Sequence, residues 1–277
     1  MQFPLEIPLG RYSLNAHVVF ESLAYALAFR LYLRGRRRAG DPVSESNRIA
    51  IIAAAAVGAA IGSKLLSWLE NPAETLANWR SLAVLMSGKT IVGGLLGGTA
   101  AVEWMKRRLA IHTRTGDLFA LPIAAGIAIG RIGCFFAGLG DRTYGGPTTL
   151  PWGIDFGDGI RRHPTQLYEI GALAALALAI RLLARRPHLT GDLYRLFLTG
   201  YLAWRLAIDS LKPEPRFASL TALQWTCLAA LVLYRRDIMH LLRLFAKPTG
   251  ANEWPNESVP TSSMTSPSPS APSVTAK

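Results

Sequence analysis

The chain is short of charge, of acids in particular, and of cysteine. Only 17% of its 277 residues are Asp, Glu, Lys or Arg, where an ordinary soluble domain carries about 25%. With 50% of the residues hydrophobic, that shortage argues against a soluble domain and against a disordered or fibrous chain. Acids number 18 against 30 Lys and Arg, a formal charge of +12. Such basicity can signal nucleic acid, but here the cations punctuate apolar blocks, as in multi-span membrane proteins, and no nucleic-acid motif accompanies them. Nucleic acid is therefore not expected as a partner. Cys134 and Cys227 both lie in apolar context and offer no disulfide framework. The sequence shows no Ser-His-Asp order, no His/Cys cluster at zinc spacing and no phosphate-binding glycine loop, so neither a metal nor a cofactor is expected. Residues 1–15 hold Glu6 and Arg11 and no apolar core, so no cleavable signal is expected there.

What the chain does have is about seven apolar segments, each near the length a bilayer requires. They fall near residues 17–33, 48–69, 89–105, 117–137, 165–184, 193–211 and 220–239. The fold expected is all-α, a polytopic membrane domain over residues 1–247. Small residues crowd several segments, as in Ala53-Ala54-Ala55-Ala56 and Gly93-Gly94-Leu95-Leu96-Gly97-Gly98, and mark helix–helix packing in lipid. Arg34, Arg36, Arg37, Arg38 and Arg48 flank the first connection, and Lys106, Arg107, Arg108 and Arg114 fill the third. Arg185 and Arg186 follow the fifth segment, and Arg235, Arg236, Arg243 and Lys247 the seventh. The alternate connections are poorer in cations, so the N-terminus is expected outside and the C-terminus in the cytoplasm. Residues 248–277, rich in Pro, Ser and Thr, read as a disordered cytoplasmic tail. Residues 71–88, with Trp79 and Arg80, read as an interfacial helix on the outer side.

Charges inside an apolar segment cost roughly 2.5–3.5 kcal/mol each on insertion, so each asks for a reason. Arg131 lies between Gly130 and Gly133 near the outer end of the fourth segment. Either it snorkels to the interface or its guanidinium fork holds a phosphate, for which a lipid headgroup is at hand. Arg205 and Asp209 are four apart and share a helix face, as a structural ion pair or as part of a site. Glu169 follows the run Arg162-His163-Pro164-Thr165-Gln166-Leu167-Tyr168 and falls one turn inside the fifth segment, with Gln166 on the same face. There it needs a cationic partner or acts as a base. Glu21 lies near the outer end of the first segment. Two arginines and three acids thus mark a polar cavity opening outward.

The strings Gly130-Arg131-Ile132-Gly133, Tyr144-Gly145, His163-Pro164-Thr165-Gln166-Leu167-Tyr168-Glu169 and Gly200-Tyr201, with Arg205 and Asp209, resemble the bacterial prolipoprotein diacylglyceryl transferases over roughly residues 17–240. The resemblance implies a seven-span, multi-pass enzyme of the bacterial inner membrane, surrounded by membrane lipid. Such an enzyme moves the diacylglyceryl group of phosphatidylglycerol onto the lipobox cysteine thiol of a prolipoprotein signal peptide. It implies Arg131 and Arg205 on the headgroup, Glu169 as the acid of the fifth-segment motif, and Gly145 as the glycine after the signature. His163 and Gln166 join the substrate-binding set. The chain departs from the family pattern at Val92, where members carry His, at Cys134, where they carry Asn, and near Phe20 and Glu21, where they carry Tyr. Valine cannot take a proton, so Glu21 is the expected substitute base, with Glu169 the next candidate. A non-catalytic paralogue that binds phospholipid or lipoproteins, and a transferase with another acceptor, are the alternative readings.

Overall fold

The computed structural model describes residues 3–86 and 88–246; the tail expected over 248–277 lies outside them. The chain opens on a hairpin of β1 (Glu6–Leu9) and β2 (Tyr12–Asn15), paired antiparallel. The Asn15 side chain then accepts the His17 amide at 2.8 Å and caps α1 (Ala16–Ala39). Next come α2 (Glu45–Glu70), the short α3 (Pro72–Ala77) and α4 (Leu82–Met86), then α5 (Ile91–Arg108). In place of the single interfacial helix expected over 71–88, the described residues there form two short helices joined by a turn. α6 (Asp117–Ala137) continues through a 3₁₀ turn at Gly138–Asp141 into an irregular loop. That loop carries a hairpin of β3 (Ile154–Asp155) and β4 (Arg161–Arg162) and ends at α7 (Thr165–Leu183). α8 (Asp192–Ile208), α9 (Ala222–Leu233) and α10 (Arg235–Ala246) complete the described chain. Both sheets are two-stranded and open; no closed sheet is found among the described residues.

Among the described residues, four helices are long and apolar enough to cross a bilayer: α1, α2, α6 with its 3₁₀ continuation, and α7. Their outer faces expose large apolar side chains, such as Val57, Ile61 and Leu65 on α2 and Leu178 and Leu182 on α7. Contiguous exposure of that kind suits hydrocarbon and not water. The protein is a membrane protein.

Two seams of small residues set the close approaches. On α2 and α5, Gly58 and Gly62 face Gly97 and Gly93; a Cβ built on Gly58 would lie 2.6 Å from the Gly97 carbonyl oxygen. Gly97→Leu is therefore expected to lower stability by about 1–3 kcal/mol, read as an earlier thermal transition of the detergent-solubilised protein. An unchanged transition would mean that the two backbones do not meet there. On α1 and α6, Gly133 brings the helices together, its missing Cβ lying 3.0 Å from the Phe20 Cβ and 3.2 Å from the His17 carbonyl oxygen. That contact seats the start of α1 beside the end of α6.

α6 is anchored at its other end too. The Asp117 carboxylate accepts the backbone amides of Gly191 at 2.6 Å and Tyr194 at 3.0 Å, so one side chain ties the start of α6 to the start of α8. α10 docks on the same end of α8 through His240 on Asp192, 3.0 Å, and Asp237 on Arg195, 3.2 Å. At the opposite end Thr221 and Gln224 form a reciprocal capping box that starts α9. Between the ends lies the apolar core, built around Leu66, Val92, Leu173, Phe197, Leu202 and Leu223.

Candidate active site

α7 starts where Pro164 fixes the chain and Thr165 turns its hydroxyl onto the Thr143 carbonyl, 2.5 Å. One turn in, Glu169 is 3% exposed and surrounded by donors from two other helices. Its Oε1 accepts the Tyr201 hydroxyl at 2.6 Å, and its Oε2 accepts Arg205 Nη1 at 3.3 Å. The same Oε2 lies 2.8 Å from Arg131 Nε, so one carboxylate oxygen serves both arginines. Arg205 Nη2 reaches Asp209 Oδ1 at 3.3 Å, and Asp209 Oδ2 accepts the Thr221 hydroxyl at 2.5 Å. The spacing of Arg205 and Asp209 in the sequence thus does place them on one face and in contact.

All four charged side chains are buried, and a buried charge persists only when paired and hydrogen-bonded. The pairing here is incomplete in one respect. Arg131 Nε approaches Glu169 without hydrogen-bond alignment, and Arg131 Nε and Arg205 Nε both lack a hydrogen-bond partner among the described residues. Arg131 Nη1 points instead toward Cys134 Sγ, 3.9 Å away. Two guanidinium groups are thus fixed by a shared carboxylate, and each keeps an Nε without a hydrogen bond among the described residues.

The other predicted residues are spread more widely. Gln166 is 1% exposed; its Nε2 donates to Thr143 Oγ1 at 3.1 Å while its Oε1 has no partner among the described residues. Gly145 donates its amide to the His163 carbonyl at 2.9 Å, and a Cβ there would meet the His163 Cβ at 2.8 Å and the Thr165 Cγ2 at 2.9 Å. It is the point at which the loop closes on the start of α7. His163 Nδ1 lies 3.3 Å from the Tyr168 hydroxyl, which also accepts Trp152 Nε1 at 2.7 Å. Glu21 stands apart. It is half-exposed on α1, accepts the Tyr25 hydroxyl at 3.2 Å and lies 3.8 Å from His17 Nε2. Val92 is fully buried in the apolar core.

Sequence reasoning passed over three contributors. Tyr201 stands in the sequence reading only as part of Gly200-Tyr201, and Thr221, an uncharged residue at the edge of an apolar run, carries no signal of its own. Lys212 follows Asp209 by three residues and precedes Pro213, and that cation just past a buried acid was the available signal. Burial pushes the Lys212 ammonium down to about 8, and the positive charges of Arg205 and Arg131 push the same way. A third cation, titrating near neutrality, thus shares the field of the two arginines.

The family model described as prolipoprotein diacylglyceryl transferase matches residues 4–235. The phosphatidylglycerol–prolipoprotein diacylglyceryl transferase of Polynucleobacter asymbioticus is 30% identical over 244 residues, covering 83% of this chain and 92% of its own length. The enzyme of the same name from Bordetella bronchiseptica is 28% identical over 237 residues, 79% of this chain and 86% of its own. That of Cupriavidus necator is 37% identical over 163 residues, 57% and 56% of the two chains.

Proposed function

Since the chain belongs to the prolipoprotein diacylglyceryl transferase family, we propose that its buried arginine pair is the phosphate clamp of a phosphatidylglycerol-dependent transfer to a lipobox cysteine. The protein is a transferase of lipoprotein biosynthesis. In the reaction the acceptor sulfur attacks the glyceryl carbon that bears the phosphate. A carbon–sulfur bond forms, the carbon–oxygen bond breaks, and its electron pair leaves with glycerol phosphate. Charge grows on the departing phosphate, where Arg131 and Arg205, held in advance by Glu169, stabilise it most. Glu169 orients both arginines, and Asp209 fixes Arg205 from its other side. Gly145, His163 and Gln166 shape the loop over the headgroup. Glu21, half-exposed on α1 beside His17, takes the acceptor thiol's proton. The observation that carries this reading is the pair of buried guanidinium groups sharing Glu169, each with an Nε free of hydrogen bonds.

Lys212 gives the reading a pH signature. As pH rises through about 8 the ammonium loses its proton, so the positive field around the phosphate weakens above that pH. The KM for phosphatidylglycerol is expected to climb there in the wild type and to stay flat in Lys212→Arg, whose guanidinium remains charged. Matching KM profiles for the two proteins would remove Lys212 from the site.

The protein crosses the bacterial inner membrane seven times in this reading, with the N-terminus outside, the C-terminus in the cytoplasm and the arginine pair in the outer half. α5, α8 and the run of α9 into α10 supply the three crossings beyond the four long apolar helices. Residues 1–247 form the membrane domain and 248–277 a cytoplasmic tail. Reporter fusions after Arg38, Arg108 and Arg186 are expected to read cytoplasmic and a fusion at Gly157 external; a cytoplasmic signal at Gly157 would overturn the arrangement.

A further inference from the structure

The α1–α6 seam assembles a second cluster beside the arginines, from residues far apart in the chain. His17 at the start of α1, Cys134 in the last turn of α6 and Asp141 at the end of the 3₁₀ turn each offer one ligand atom, and these atoms lie within 4.8 Å of one another. His17 Nδ1 is 4.0 Å from Asp141 Oδ1, and this nitrogen is buried without a hydrogen-bond partner among the described residues. A buried ring nitrogen left open toward a thiol and a carboxylate asks for an occupant.

We infer that His17, Cys134 and Asp141 form a site for a zinc-class divalent cation whose fourth, open position takes the acceptor thiol. The donor set is the one such a cation selects: one imidazole, one thiolate and one carboxylate, three protein ligands with a vacancy, as in catalytic zinc sites. Tetrahedral zinc spaces its donors by about 3.3–3.8 Å, so a small closure of the cluster suffices. The supporting contacts suit ligands too. The other ring nitrogen of His17 faces the Glu21 carboxylate at 3.8 Å, and Asp141 Oδ2 accepts the Thr143 hydroxyl at 2.6 Å, the outer contacts that orient metal-bound imidazole and carboxylate. The thiolate and carboxylate balance the ion's two charges, so the loaded three-ligand site is neutral beside Arg131. The cluster is open enough to be reached, with the His17 side chain 31% exposed and that of Asp141 19%.

The site rests on the proposed transfer and answers a difficulty in it. An ordinary carboxylate is a weaker base than a thiolate by about 10⁴-fold, and Val92 supplies no base in its place. A cation that binds the acceptor sulfur as thiolate makes the proton easy to remove. That proton leaves toward Glu21, and the bound sulfur then attacks the glyceryl carbon as described. Cys134 Sγ stands 3.9 Å from Arg131 Nη1, so a sulfur held on the cation lies beside the phosphate clamp.

The test is cobalt(II) binding to the chelator-stripped, full-length protein in detergent. One equivalent is expected to give a sulfur-to-cobalt charge-transfer band in the near ultraviolet, displaced by zinc. The band should vanish in Cys134→Ser, persist in Cys227→Ser, and require at least about tenfold more cobalt in His17→Ala and Asp141→Asn. Stripping should lower glycerol phosphate release from phosphatidylglycerol by about 10²-fold, with recovery on adding zinc. No band in the wild type, a band that survives Cys134→Ser, or release untouched by stripping would each overturn the site. Release without a band sinks the metal site and keeps the transferase; a cobalt band with no release under any condition sinks the transferase reading instead.

Discussion

Arg131→Lys is expected to cut glycerol phosphate release from phosphatidylglycerol by about 10²–10³-fold, the cost of losing one preorganised donor to a developing anion. The substitution keeps the positive charge and removes the fork. In the native site Arg131 directs Nε at Glu169, 2.8 Å away, and Nη1 toward Cys134. A lysine has one nitrogen and a flexible stem, so it can answer Glu169 or the phosphate but not both in a fixed geometry. Release within about threefold of wild type would show that charge alone suffices and that Arg131 is a snorkelling residue.

Glu169→Ala carries the largest expected effect on stability, a loss of about 3–5 kcal/mol, because it leaves buried charge without its counter-ion. Both arginines lose their common partner and the Tyr201 hydroxyl loses its acceptor. The clamp reading adds a condition that a purely structural ion pair does not. An anionic headgroup placed between the two arginines replaces the missing carboxylate, so phosphatidylglycerol in the micelle should raise the thermal transition of Glu169→Ala more than that of the wild type. Equal shifts with phosphatidylglycerol and a zwitterionic phospholipid would contradict the clamp.

Much of the fold could be read from the sequence wherever a long apolar run does the specifying. α1, α2, α6 and α7 fall on their segments because each apolar run is long enough to specify a helix despite the isolated charges it carries, such as Glu21, Lys64, Arg131 and Glu169. The segment 220–239 breaks at Tyr234 into α9 and α10, since Arg235, Arg236 and Asp237 make the following turn amphipathic, and Asp237 turns back to Arg195. Residues 71–88 split because Asn78 and Ser81 close a turn through their backbones, 2.8 Å. The arginine site was legible for an energetic reason: Arg131, Glu169, Arg205 and Asp209 sit in apolar stretches where a charge is expensive. Glu21 could not be placed the same way. Its segment fixes depth but not rotation about the helix, and α1 turns it toward Tyr25 and His17 instead of the arginines. The grouping of His17, Cys134 and Asp141 has no sequence signature, because it depends on Gly133 letting α1 and α6 touch.

In the proposed reaction the buried arginine pair carries diacylglyceryl transfer from phosphatidylglycerol. The direct measurement is release of glycerol phosphate by the purified protein given phosphatidylglycerol and a lipobox peptide, run beside the same peptide with its cysteine changed to serine. The account predicts release with the cysteine peptide, matched mole for mole by the lipid-modified thioether, and none with the serine peptide or with Arg205→Ala. Release that ignores the cysteine, or no release from a folded wild type that still binds the lipid, would contradict it.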